Sequence, residues 1–293
     1  MLTYPNIDPV ALQISAFEIF GKTIGPLKIH WYGLMYLFGF IGAWSLGVYR
    51  AKRPWSPIQK SQVEDLVFYT ALGVILGARI GYILFYNFGD FLKDPIELFK
   101  VWHGGMSFHG GLLGVIIAMY FYGKKINRSF LEIADFSAPL VPIGLGLGRI
   151  GNFIGGELWG RATDVPWGMI FPKDVDQLVR HPSQLYQAFF EGLVLFVILF
   201  WFSRKPRPKA AVASLFVLLY GCFRFMVEFV REPDAHIQFD LFGWMTRGQE
   251  LCVPMIIIGG WIFYSVYLSK LLFNRDKAPA SEKHLKKSAQ ANK

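Results

Sequence analysis

A series of long apolar runs, separated by short polar loops, constrains this chain more than any other feature. A run of about 18 residues or more with few charges is long enough to cross the hydrocarbon layer of a membrane. Inside lipid the backbone has no water to bond, so each run must satisfy its own N–H and C=O groups as a helix. Seven runs meet this description: Lys28 to Val48, Val63 to Tyr86, Met106 to Tyr122, Phe130 to Ile150, Gln184 to Phe202, Ala211 to Val230 and Glu250 to Phe273. The chain is 53% hydrophobic and 17% aromatic, which takes it out of the range of ordinary soluble domains. The expected fold is therefore an all-α integral membrane protein with seven transmembrane helices. The polar stretch at about 151–183, rich in Gly, Pro and Trp, cannot span and forms a head segment.

A formal net charge of +9 raises the question of nucleic acid. The placement of the charge answers against it. Arg50, Lys52 and Arg53 follow the first run, and Lys124, Lys125 and Arg128 follow the third. RKPRPK follows the fifth, and the basic tail follows the seventh. All four clusters then lie on one side of the membrane, which the positive-inside rule makes the cytoplasm. The N-terminus and the head segment are expected to be extracytoplasmic and the C-terminus cytoplasmic. Residues 1–273 read as one polytopic domain. Residues 274–293 read as a disordered cytoplasmic tail, being charged and poor in apolar side chains. Residues 1–27 read as an extended or amphipathic leading segment, not a cleavable signal peptide, since they lack a basic leader and carry two early prolines. Cys222 and Cys252 fall in or beside apolar runs. No CxxC or HxxxH spacing suggests a disulfide framework or a metal site.

This topology gives each polar residue a depth. Tyr32 begins the first run and His109 lies early in the third, both near the outer face. Arg149 ends the fourth run, and Arg224, Glu228 and Arg231 close the sixth. Arg79 falls in the outer half of the second. A charge at the centre of a membrane helix costs about 3 kcal/mol on insertion scales, so residues of this kind call for a partner. Local partners are available to some. Arg224, Glu228 and Arg231 share one helix face and can pair among themselves. His109 can bond a carbonyl, Tyr32 suits an interfacial aromatic belt, and Asn152 can cap a broken helix end. Several arginines gathered at one depth with few carboxylates leave positive charge for an anionic ligand. At that level the obvious anion is a phospholipid phosphate, which the planar donor fork of arginine fits well. HGGMSFHGGLLG at 103–114 supplies glycines for close helix approach or for backbone contact with a ligand.

The block GRIGNFIGGELWGR at 148–161, with HGG at 109–111, RHPSQLYQ at 180–187, YGCFRFMVEFVREPD at 220–234 and WYGLMY at 31–36, resembles the bacterial prolipoprotein diacylglyceryl transferases. The resemblance runs from about residue 28 to residue 260. It implies a multi-pass enzyme of the bacterial inner membrane with an extracytoplasmic active site. The implied reaction moves the diacylglyceryl group of phosphatidylglycerol onto the lipobox cysteine thiol of a preprolipoprotein, releasing glycerol phosphate. Carried over motif by motif, His109 is the important histidine, and Arg149 and Arg224 handle the phosphate. Tyr32, Asn152, Glu157, Gly160, Glu228 and Arg231 complete the phosphatidylglycerol site, with Arg79 and His181 supporting. Gly155 and Gln187 depart from residues common in the family, Asn and Glu respectively. No cofactor or metal is called for.

The chemistry suits these residues. A cysteine thiol has a pKa near ~8.5 and must lose its proton to attack. His109 is a candidate general base, and an arginine field that lowers the thiol pKa is the other route. The arginines can hold charge developing on the leaving phosphate oxygen. A phospholipid or anion transporter would use the same arginines but needs polar residues continuing inward. An intramembrane protease would need a base beside its nucleophile, and Ser107 and His109 point to different faces.

Overall fold

The computed structural model describes residues 2–20, 22–100, 104–233, 239–241 and 243–276. The basic tail from residue 277 and the second half of the REPDAH loop, from residue 234, lie outside the described residues. The described chain is mostly helical, with a small β-structured cap at one end. Five helices are long and apolar enough to cross a membrane, and a bent pair raises this to six.

The first 30 residues form two antiparallel pairs, β1 (Val10–Ile14) with β4 (Leu27–His30) and β2 (Phe17–Ile19) with β3 (Lys22–Ile24). The leading segment is therefore hairpin-like, and the first helix starts after it, at α1 (Trp31–Ala51). α2 (Lys60–Tyr86) returns to the cap end. A short helix α3 (Phe88–Lys93) and a 3-10 turn at Pro95–Phe99 lead to α4 (Phe108–Lys125). Ser107 caps α4 by accepting the Gly110 N–H at 3.3 Å, so its hydroxyl serves the backbone. The fourth run is broken: α5 (Phe130–Ser137) and α6 (Val141–Ile154) meet at 50°. Pro142, in the first turn of α6, marks a restart, since proline is tolerated where an N–H is unneeded.

The fifth run is one continuous helix with an irregular middle. α7 (Ser183–Gln187) passes through a π-helical stretch at Ala188–Val194 into α8 (Leu195–Phe202). α9 (Ala211–Glu228) and α10 (Arg247–Asp276) complete the bundle.

Helices alternate in direction, and contacts at their ends show it. Arg50 at the end of α1 donates to the Ser203 hydroxyl beyond α8 at 2.5 Å. Lys125 at the end of α4 pairs with Asp65 near the start of α2 at 3.3 Å. Asp135 in α5 accepts the Ala210 and Ala213 N–H groups at the start of α9. These basic ends share one side of the bundle, as the sequence pattern required.

Glycine sets the closest helix contact. A methyl group on Gly81 would sit 2.7 Å from the Gly110 Cα, and one on Gly77 would sit 2.8 Å from the Gly114 Cα and still closer to the Gly110 carbonyl oxygen. α2 and α4 thus touch backbone to backbone, the small-residue mode favoured where apolar side chains gain nothing by leaving lipid. α6 meets the π-stretch the same way, with Gly192 against Gly146.

Replacing Gly77 or Gly110 with Val should force α2 and α4 apart and lower stability by about 1–3 kcal/mol. Gly89→Ala, where nothing lies within 4 Å, should change it by less than about 1 kcal/mol. Equilibrium unfolding of the purified protein in mixed micelles reads both.

Candidate functional site

The cap end is assembled from the N-terminal residues and the head segment. Tyr4 donates its hydroxyl proton to the Phe153 carbonyl at 2.5 Å, and its ring packs on Phe171. Phe153, Met169 and Phe171 form a small core with Trp159 and Leu185. A two-residue hairpin, β5 (Met169–Ile170) with β6 (Val179–Arg180), carries a buried ion pair. There Arg180 donates from Nε to Asp174 at 2.6 Å and from Nη2 at 3.1 Å. That hydrogen bonding holds the Asp174 carboxyl below the usual carboxylate range. The head is laced to the end of α9. The Gly160 N–H donates to the His181 carbonyl at 2.8 Å and the Arg161 N–H to the Val230 carbonyl at 2.9 Å. A side chain at 160 would strike His181 and the Val230 carbonyl, so only glycine permits this seam.

Beneath this cap lies the charge cluster. Glu228 is 1% exposed and is the hub. Its carboxylate pairs with Arg224 at 2.7 Å and with Arg231 at 3.3 Å, and accepts the Thr246 hydroxyl at 3.1 Å. The local ion pairs weighed from the sequence are thus both present, on one face of α9 and its end. Gly248 at the start of α10 lets the carboxylate in, for a methyl there would sit 2.7 Å from a Glu228 oxygen. Glu191, 0% exposed, faces Arg224 at 4.0 Å from the π-stretch of the fifth span.

Arg149 of α6 lies within electrostatic reach of Glu191, Arg224, Tyr220 and Arg231. Among the described residues it makes no hydrogen bond or ion pair with any side chain. Arg224 Nη1 and both Glu191 oxygens also lack hydrogen-bond partners within the protein. Arg149 and Arg224 Nη1 thus offer spare guanidinium donors side by side, an arrangement that can take up an anion.

Tyr32 is 41% exposed, shares a hydrogen bond of 3.1 Å with Tyr36, and lies within electrostatic reach of both Arg149 and Glu157. Its ring rests on Gly151, whose added methyl would lie 3.1 Å away. Asn152 does more than cap a helix end: its amide donates to Glu157 at 2.9 Å and fixes that carboxylate over the end of α6. The Gln184 amide holds the Glu157 carbonyl at 2.7 Å.

Three more residues singled out in the sequence lie apart from this cluster. Arg79 does not add free charge to the cluster. It is buried and donates to the carbonyls of Glu97, Leu98, Lys100, Gly104 and Gly105, with the Glu97 carboxylate at 3.5 Å. Its charge is spent on the segment that leads into α4. His181 belongs to the head, where its Nδ1 meets the Tyr186 hydroxyl at 3.2 Å and burial pushes its pKa down. His109 is exposed at the start of α4, packed edge-on to Phe108, with no hydrogen bond or ion pair to the arginines.

Sequence reading also missed Glu191, together with Thr246. The signal for Glu191 was present: a lone carboxylate inside the apolar run AFFEGLVLF has to have a partner. Thr246 gave none, because it meets Glu228 only through the packing of α9 on α10.

The sequence model for "Prolipoprotein diacylglyceryl transferase" matches residues 19–265. The chain belongs to the prolipoprotein diacylglyceryl transferase family. A phosphatidylglycerol–prolipoprotein diacylglyceryl transferase of Teredinibacter turnerae is 69% identical over 267 residues, covering 91% of this chain and 93% of that one. Its counterpart in Acinetobacter baumannii is 58% identical over 276 residues, with 92% and 97% covered. That of Coxiella burnetii is 55% identical over 270 residues, with 92% and 99% covered. The family's matched region contains the arginine–glutamate cluster, His109, Tyr32 and the head, leaving out only the chain's two ends.

Glu228→Ala should destabilise the protein by about 3 kcal/mol, because two half-buried arginines lose their shared partner. Glu228→Gln should cost less, and thermal unfolding in detergent ranks the two. The Asp174–Arg180 pair contributes stability that is full above about pH 4 and is lost as pH falls through the lowered Asp174 value. Limited proteolysis of the head should therefore accelerate in acid, and Asp174→Asn should flatten that profile.

Proposed function

We propose that this protein transfers the diacylglyceryl group of phosphatidylglycerol to the lipobox cysteine of preprolipoproteins. A thioether bond from sulfur to the glyceryl carbon forms. The bond from that carbon to the phosphate oxygen breaks, and glycerol phosphate leaves. The observation that carries this reading is the cluster of Arg149, Arg224 and Arg231 around two glutamates, with Arg149 unengaged. A lipid phosphodiester supplies the missing negative charge.

Roles follow from placement. Arg149 and Arg224 hold the phosphate and stabilise charge gathering on the leaving oxygen. Glu191 and Glu228 aim the arginines, and Thr246 steadies Glu228. Tyr32, Asn152, Glu157 and Gly160 shape the wall between lipid and head, and Arg231 ties α9 to that wall. His109 stands on an exposed face, where a thiol arriving from the membrane can reach it, and accepts the thiol proton. Arg79 supports it by fixing the segment before α4, and His181 supports the head from within.

The enzyme crosses the inner membrane of a bacterium seven times, with α4 as the seventh span and the bent pair of α5 and α6 counted as one. α4 is the least apolar of the seven, and its backbone contact with α2 shields one side of it from lipid. The positive-inside rule places the cap outside and the basic ends in the cytoplasm. Residues 1–273 act as one unit with its head at about 151–183, and 274–293 form a cytoplasmic tail. Transport fits less well. Below the cluster the bundle is packed with Leu195, Leu199, Ala138 and Val212, with no polar path toward the basic end among these residues.

Purified protein, phosphatidylglycerol vesicles and a lipobox peptide test the reading by mass spectrometry, with a diacylglyceryl mass shift expected on the peptide. Arg149→Ala or Arg224→Ala should each lower the rate by about 10²–10³-fold. Loss of the product with His109→Ala, but near-normal lipid binding, is the expected mark of the base. Turnover that persists in His109→Ala assigns thiol activation to the arginine field instead.

A further inference from the structure

A basic cavity lies at the end of the bundle opposite the cap. There a cavity of about 490 Å³ opens between the ends of α1, α5, α8 and α9. Arg50, Arg128, Lys205, Arg207 and Lys209 line it, against two carboxylates, Glu132 and Asp135. Both carboxylates are already engaged. Asp135 accepts the Ala210 and Ala213 N–H groups at 2.6 and 2.7 Å, and Glu132 accepts the Ser129 N–H and hydroxyl while pairing with Arg128 at 3.5 Å and Lys209 at 3.7 Å. Among the described residues Lys205 has no ion pair, Arg207 has no carboxylate partner, and the buried Nε of Arg50 bonds nothing. The rest of the wall is apolar, from Trp55, Pro54, Pro57, Phe136 and Val212. Cations above an apolar wall, at the depth where a span ends, match a lipid at its phosphate and glycerol level.

We propose that this cavity binds the phosphate of an anionic phospholipid from the leaflet at the basic end, apart from the arginine–glutamate cluster under the head. Spread surface charge would attract such lipids weakly and everywhere. Here the concave shape and the committed carboxylates concentrate the attraction in one place. A bound lipid would bridge α1, α5 and the loop between α8 and α9, adding to the Arg50–Ser203 and Asp135–Ala210 contacts that already join them.

The test uses the full-length protein in phosphatidylcholine liposomes doped with a photo-crosslinkable phosphatidic acid, and mass spectrometry of the labelled peptides. Saturable labelling of the 50–57 and 203–212 regions is expected. Lys205→Gln with Lys209→Gln should weaken it about thirtyfold. Lys52→Gln with Lys124→Gln, which removes equal charge from the same end but outside the cavity, should leave it within about twofold. Equal losses in the two double variants would reduce the effect to diffuse surface charge and overturn the proposal. So would a lack of labelling in the wild-type cavity. Inorganic phosphate separates the sources: labelling that survives it supports the lipid, and labelling abolished by it assigns the cavity to a free anion instead.

Discussion

The site depends on how Glu228 is shared. A carboxylate with 1% of its surface exposed cannot be ionised inside a bundle without close positive partners, and two arginines and a hydroxyl provide them. That one group joins α9 to the head through Arg231 and to α10 through Thr246. It also holds Arg224 in the rotamer that meets Glu191. Arg149, at the cap end of α6, is left without a hydrogen bond or ion pair to a side chain among the described residues. Electrostatic bookkeeping and architecture are the same problem here, because in a low-dielectric interior each added charge must be met by an element that can reach it.

Glycine makes that reach possible. Gly248 admits the Glu228 carboxylate, Gly160 admits the head strand against Val230, and Gly151 admits the Tyr32 ring. The α2–α4 pair extends the same logic, bringing two backbones into contact and carrying His109 at its cap end. Arg79 completes this half of the molecule by collecting five backbone carbonyls with one guanidinium. Besides Arg180, which pairs with Asp174 inside the head, buried and half-buried arginines serve two further ends. One organises backbone near α4, and the other holds charge in reserve near α6 and α9.

Much of this was legible in the sequence. The apolar runs marked the helices, since length and hydrophobicity in lipid leave the backbone little choice. The alternation of basic loops put their ends together: Arg50 there meets Ser203 and Lys125 meets Asp65. The block at 148–161 singled out Arg149, Asn152 and Glu157, which do gather at the end of α6. Less was legible where local pattern and long-range packing diverge. Arg79 looked like a spare cation because the carbonyls it binds lie 18 to 26 residues further on. The leading segment gave no clear strand alternation, yet it closes into hairpins against the first helix. The bend between α5 and α6 hid inside one apolar run.

What the sequence by itself determined is the solvent, the number of apolar runs and the clustering of basic loops at one end. These follow from composition and periodicity, which act within a single helix. Only the tertiary structure decided which charges meet. It chose Glu191 as the second counter-charge, spent Arg79 on backbone, left Arg149 unengaged and set His109 on an open face. The physical reason is that an ion pair depends on a few ångströms between side chains of different helices. Those distances are set by glycine contacts and helix rotation that no single run records.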